Sequence, residues 1–136
     1  MEPRLSLVTL GVADLARSTK FYEEVLRLPR LHSPPTIACF QLGPTWLALY
    51  SRQDLAADAG VSAAGGGFPG FTLSHNLRSE AEVERLLHEV AAGGAKIVKP
   101  AQHADWGGYS GYFADPDGFL WEVAFNPDFP VADPSR

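Results

Sequence analysis

One cysteine, Cys39, in 136 residues excludes an internal disulfide framework and any multi-cysteine metal site. With Ile37, Ala38 and Phe40 around it and no basic neighbour in sequence, its thiol is expected to be buried and inert. Positive charge is also scarce: 11 Lys and Arg face 16 Asp and Glu, a net charge of -5. A nucleic-acid binder needs a clustered basic surface, so nucleic acid is not an expected partner. No segment approaches the roughly 20 consecutive apolar residues that span a bilayer. The start, Met-Glu-Pro-Arg followed by Leu-Ser-Leu-Val-Thr, lacks the basic end, apolar run and small-residue cleavage site of a signal peptide. A cytoplasmic protein without a membrane partner is the expectation. What is present is 46% hydrophobic and 20% charged residues, the composition of one folded domain, with 3 Trp, 4 Tyr and 8 Phe. Most of those rings are expected in the core.

The order of elements reads as one unit used twice. Arg4 to Val12 alternates with both faces apolar, the pattern of an interior strand. Asp14 is placed to cap a helix that carries Phe21, Tyr22, Val25 and Leu26 on one side, and Leu28-Pro29 ends it. A short strand is expected around Arg30 to His32. Ile37 to Leu42 and Trp46 to Ser51 flank Gly43-Pro44 as strand, turn and strand. Asp54 to Gly70, rich in Ala, Gly and Asp, reads as a flexible connector. Beyond it, Phe71 to Leu77 is a strand, and Ser79 with Glu82 forms a capping box. Val83, Leu86, Leu87 and Val90 make the buried stripe of a helix that Gly93-Gly94 stops. Ala95 to Lys99, Gly111 to Ala114 and Phe119 to Phe125 complete the second half, the last two joined by Asp115-Pro116-Asp117-Gly118. The expected organisation is one domain over residues 1–126, made of halves 1–56 and 68–126 joined by 57–67, with a Pro-containing tail at 127–136. Each half exposes a curved sheet that its twin or a second chain must complete, so a cup lined by one face of each sheet is expected.

The phrase Val12-Ala13-Asp14-Leu15-Ala16-Arg17-Ser18, followed by Phe21-Tyr22 and Leu26, and the later run Asp115-Pro116-Asp117-Gly118-Phe119-Leu120-Trp121-Glu122 resemble the vicinal oxygen chelate superfamily of glyoxalase I, bleomycin and fosfomycin resistance proteins and extradiol dioxygenases. The segment from Trp106 to Phe113 is similar to a subgroup of small bacterial members. The resemblance implies an α+β fold of paired βαβββ modules, a homodimer, and ligand sites in the cups. It also implies metal ligands on the first and last strands of each half. Those positions fall on Leu7, near Ala48, on Phe71 or Thr72, and on Glu122, which alone is a typical ligand. One carboxylate does not hold a divalent cation, so no metal and no other cofactor is expected.

Strand parity names what lines the cup instead. Trp46, Ala48 and Tyr50, Leu5, Leu7 and Thr9, and Leu120, Glu122 and Ala124 share the inward phase. Thr72, Ser74 and Asn76 join them if Leu73 and Leu77 cover the helix; the opposite phase would turn Phe71, Leu73 and His75 inward. Trp106, Tyr109 and Tyr112 come from the Gly-rich loop and strand above. The candidate ligand-binding residues are therefore Trp46, Tyr50, Asn76, Trp106, Tyr109 and Tyr112, and Glu122 is the candidate catalytic residue. Packing or a dimer interface suits Trp46, Tyr50 and Trp106 as well as ligand contact does. Trp121, one residue out of phase, suits packing under a helix. Three functions stay open: a metal-free binder of a small aromatic or amphipathic molecule, a metal-independent lyase, isomerase or epimerase using Glu122 as general acid/base, and a non-catalytic dimeric interaction module.

Overall fold

The computed structural model describes Pro3, residues 5–69, 71–105 and 107–128, and Val131. Its contacts divide the chain into two compact units, Met1–Gly67 and Phe68–Arg136. None of the described helices is long and apolar enough to cross a membrane.

In the first unit, strand β1 (Leu7–Val12) leads into helix α1 (Leu15–Lys20), and Asp14 caps it by accepting the Arg17 N–H at 3.1 Å. The chain continues through a π-helical turn, Phe21–Val25, closed by the Leu26 N–H on the Phe21 carbonyl at 3.1 Å. Phe21 and Tyr22 are both buried there. Their rings meet edge to face at 5.6 Å, and Tyr22 lies 6.1 Å from Phe40. Strands β2 (Arg30–Leu31), β3 (Ile37–Leu42) and β4 (Thr45–Ser51) complete a sheet in the order β1-β4-β3-β2. β1 runs parallel to β4 and the other pairs are antiparallel.

The strand expected in the interior is thus an edge strand of its sheet, shorter than the apolar pattern suggested. One of its faces is core: Leu10, Val12, Ala38, Phe40, Leu47 and Leu49 are all buried. Residues of the opposite phase, Leu7, Thr9, Cys39, Trp46 and Tyr50, make a second face that is only partly covered. Cys39 is consequently half-buried rather than buried.

The connector expected from Asp54 to Gly70 begins as a helix, α2 (Arg52–Ala59). Ser51 caps it by accepting the Asp54 N–H at 3.5 Å, and Gly60 ends it in the left-handed conformation. Gly11 makes room for it: a Cβ there would meet the Arg52 backbone at 3.2 Å and the Leu55 side chain at 3.3 Å.

The second unit repeats the plan. Strand β5 (Leu73–Leu77), helix α3 (Glu80–Ala92) and strands β6 (Lys96–His103), β7 (Tyr109–Ala114) and β8 (Leu120–Phe125) form a sheet in the order β5-β8-β7-β6, with β5 parallel to β8. Ser79 accepts the Glu82 N–H at 3.1 Å, as a capping box requires. Its reciprocal half is shifted by one residue, because Glu82 Oε2 accepts from the Arg78 N–H at 2.7 Å.

Val83, Leu87 and Val90 are buried against the sheet, while Leu86 is half-buried. Phe113 stacks on Trp121 with rings nearly parallel at 6.2 Å, so Trp121 does pack on the helix side. Gly111 is required beneath α3, since a Cβ would come within 2.7 Å of Leu87 Cδ1 and 2.8 Å of the Lys99 carbonyl oxygen. β6 runs four residues past the expected Lys99 end because a register shift between Lys99 and Gln102 lets it pass Pro100 and resume pairing at Gln102 and His103. In the Asp-Pro-Asp-Gly turn, the Asp115 carboxylate accepts from the N–H groups of Asp117 and Phe119 at 2.9 and 2.8 Å. Gly118 supplies the positive φ of 87° that directs the chain into β8.

Candidate functional site

Register determines which side chains share a face. In the second unit Ser74 pairs with Glu122, Asn76 with Ala124, Tyr112 with Glu122 and Ser110 with Ala124. These residues occupy the phase opposite to Gly111, Phe113, Trp121 and Val123, which face α3. The face turned away from the helix therefore carries Ser74, Asn76, Tyr112 and Glu122 together. Leu73 and Leu77 fall on the helix side, which is the parity that turns Ser74 and Asn76 toward Glu122's face.

Glu122 is the centre of this group. Tyr112 donates its phenolic hydrogen to Glu122 Oε2 at 3.0 Å, and Ser74 donates to Oε1 at 3.3 Å. Each carboxylate oxygen thus holds one hydroxyl. The Tyr112 phenol is held above its ordinary pKa, first by desolvation, then by its hydrogen bond to Glu122 and that carboxylate's charge. Tyr112 therefore stays a neutral donor across the physiological range. Asn76 lies one step along the same face, in register with Ala124, but the bonds to Glu122 come from Ser74 and Tyr112. Ser74 was legible only through alternation, since nothing in the composition of Leu73–Leu77 singles out a serine.

Tyr109 is not in this group. It pairs with Phe125 on the helix side of the sheet, and its hydroxyl bonds the Glu84 carboxylate on α3. That bond, ahead of desolvation and the charges of Glu84 and Glu80, raises its phenol pKa. The His103 ring lies 5.0 Å from the Tyr109 ring, tilted at 59° to it, and His103 reaches Glu80 Oε1 at 3.5 Å. A tyrosine two residues before its neighbour normally shares its face. Here the alternation Tyr109, Gly111, Phe113 places Tyr109 opposite to Tyr112, three positions away. Trp106, the remaining loop candidate, lies outside the described residues.

In the first unit, Trp46, Ala48 and Tyr50 share a face with Leu7 and Thr9, as the parity argument expected. Trp46 is 44% exposed and Leu7 is 41% exposed, while Ala48 is completely buried. A separate cavity of about 550 Å³ lies along α1, lined by Leu15, Thr19, Lys20, Glu23, Arg30 and Ile37. None of the candidate ligand-binding or catalytic residues lines it.

Each unit thus carries the βαβββ order around a four-stranded sheet. The model of the Glyoxalase/Bleomycin resistance protein/Dioxygenase superfamily matches residues 4–123. The chain belongs to this superfamily. A glyoxalase-related enzyme from Fulvimarina pelagi is 36% identical, with a TM-score of 0.88 over 96% of this chain and 93% of its own. Lactoylglutathione lyase from Agrobacterium tumefaciens shares the fold at a TM-score of 0.74 and 22% identity, over 97% of this chain and 100% of its own. Metallothiol transferase FosB from Staphylococcus saprophyticus is 27% identical over 116 residues, which is 85% of this chain and 72% of that protein.

The superfamily implies a metal, and the donor set tests it. Leu7 and Ala48 offer no donor atom, and Glu122 already accepts two hydroxyls. Among the described residues no three His, Cys, Asp or Glu side chains gather to hold an ion. These residues do not fit a divalent-metal site of the oxygen and nitrogen type.

Proposed function

We propose that this member of the superfamily binds a small aromatic or amphipathic molecule against the helix-free face of its second sheet, without a metal. The observation that carries the reading is the Ser74–Glu122–Tyr112 group: a carboxylate oriented by two hydroxyls, beside Asn76, among Leu120, Ala124 and the Tyr112 ring. A few fixed polar groups on an otherwise apolar and aromatic surface are the composition of a small-molecule site. The same reading gives Trp46 and Tyr50, on the corresponding face of the first unit, stacking contacts of their own. It also expects a homodimer, which sedimentation velocity would distinguish from a monomer.

The test is a fluorescence titration with a panel of aromatic drugs and metabolites. Saturable quenching at micromolar ligand is expected. Tyr112→Ala should weaken binding roughly 2- to 12-fold, the loss of one aromatic contact of about 0.5–1.5 kcal/mol. A flat response throughout the panel would count against binding.

A second reading, a metal-independent lyase, isomerase or epimerase, is favoured by the same geometry. A carboxylate with a neutral phenol on one oxygen can accept a substrate proton while Tyr112 keeps it oriented. The names of two relatives, a glyoxalase-related enzyme and a metallothiol transferase, are names of enzymes. Glu122→Gln would then abolish turnover with binding retained; undiminished turnover removes Glu122 from the chemistry.

A further inference from the structure

Glu122 is half-buried, and its partners among the described residues are two hydroxyls. Among the described residues no cation reaches it. Lys96 and Lys99 on β6 stand in register with Ala114 and Tyr112, but both are exposed and neither forms an ion pair with Glu122. A carboxylate taken partly out of water calls for a charge partner or further donors. An ionised carboxylate offers about four acceptor positions, and Ser74 and Tyr112 take two. What remains is acceptor capacity, negative charge and, in register beside it, the face of the Tyr112 ring, which also attracts cations.

Resting on the small-molecule reading above, we propose that the ligand is an organic ammonium: a protonated amine carried on an aromatic or apolar body. The ammonium donates to the free acceptor positions of Glu122, and the body lies against Tyr112. Ser74 and Tyr112 hold the carboxylate in place, so its orientation is set before the ligand arrives.

The experiment is calorimetric titration of the full chain with three probes sharing one ring system: naphthylmethylammonium, naphthylmethanol and naphthoate. The cation is expected to bind about tenfold or more tighter than the alcohol, the margin of a charge-assisted hydrogen bond. Naphthoate should bind more weakly than either. Glu122→Gln keeps the side-chain shape and an acceptor for one hydroxyl, and it should erase the preference for the cation while the alcohol still binds. Circular dichroism of the variant confirms that it is folded. Equal or tighter binding of the alcohol overturns the ammonium inference and leaves the small-molecule reading standing. Preference for naphthoate also overturns it, and assigns recognition to Lys96 and Lys99. Absence of binding by all three overturns both.

Discussion

Gly111→Ala tests the packing of the second unit at its tightest point. The added Cβ would lie 2.7 Å from Leu87 Cδ1, 2.8 Å from the Lys99 carbonyl oxygen and 2.9 Å from the Ala101 nitrogen. A flexible leucine tip can swing aside, but two of these three atoms are backbone of β6, and that strand is held to β7 on both sides of its bulges. The methyl group therefore cannot be absorbed by one rotamer change, and β6 must move. Overpacking of this kind costs about 1–3 kcal/mol. With a urea m-value of roughly 2 kcal/mol/M for a small protein, the midpoint should fall by about 0.5–1.5 M. Gly66→Ala is the matched control: nothing lies within 4 Å of its added Cβ, and its φ is not positive. Gly66→Ala should be neutral or stabilising by up to about 1 kcal/mol, because it restricts the unfolded chain. Equilibrium urea unfolding followed by circular dichroism measures both. A Gly111→Ala protein within about 0.5 kcal/mol of the parent would refute the close approach of β6 and α3 over Gly111.

Asp115→Ala should destabilise by about 2–4 kcal/mol, since its buried carboxylate holds the N–H groups of Asp117 and Phe119, and Asp115→Asn, which keeps an acceptor, by less; thermal unfolding would rank them. Spectrophotometric titration near 295 nm should show phenols ionising above the ordinary range, and Tyr112→Phe should remove one of them. Glu122→Gln should bring that phenol only part of the way back, because desolvation is the larger cause. His75 has its pKa lowered, first by desolvation and then by the Arg78 guanidinium, with Glu82 opposing. The unfolded chain therefore binds the proton first as pH falls, so stability should drop as pH is lowered through the ordinary histidine range near ~6.5 and level off below the folded-state pKa. Urea unfolding between pH 8 and pH 5 on the parent and His75→Gln measures this, and an identical slope in both would remove His75 as its source.

The elements that the sequence declares are those whose signals are local. Asp14 and Ser79 each sit one residue before an apolar-periodic run, and each caps the helix expected of it. Asp115 to Gly118 builds its turn from its own atoms. Helix α2 was hidden because composition and capping disagree there. Ala and Asp residues without an apolar stripe read as linker, whereas Ser51, Asp54 and Gly60 are start and stop signals that could have revealed it. The edge position of β1 was illegible for a different reason. Both faces of its sequence are apolar, which normally marks a central strand, but Leu7 is 41% exposed on the face opposite the buried Leu10 and Val12. Pairing order is a property of the sheet, and no strand carries it alone.

The candidate site shows the same division at the scale of single residues. Alternation along one strand placed Ser74 and Asn76 together and put Trp121 out of phase with Glu122, and the register agrees. Tyr109 and Tyr112 read as one group when Tyr109 belongs to the Gly-rich loop and the strand starts at Gly111, yet β7 begins at Tyr109, and an odd separation along a strand puts the two on opposite faces. One phenol therefore serves α3 through Glu84 and the other serves Glu122. This separation makes the two tyrosines internal controls for each other. Tyr109→Phe removes a bond between sheet and helix and should leave ligand affinity unchanged, whereas Tyr112→Phe keeps the ring but frees one oxygen of Glu122. If Glu122 recognises an ammonium, the freed oxygen gains acceptor capacity but loses its fixed orientation. The cation probe should then bind with a more unfavourable entropy in Tyr112→Phe and with unchanged entropy in Tyr109→Phe, a difference that the same calorimetric titration reads directly. Equal effects of the two substitutions would mean that the face assignment does not govern binding.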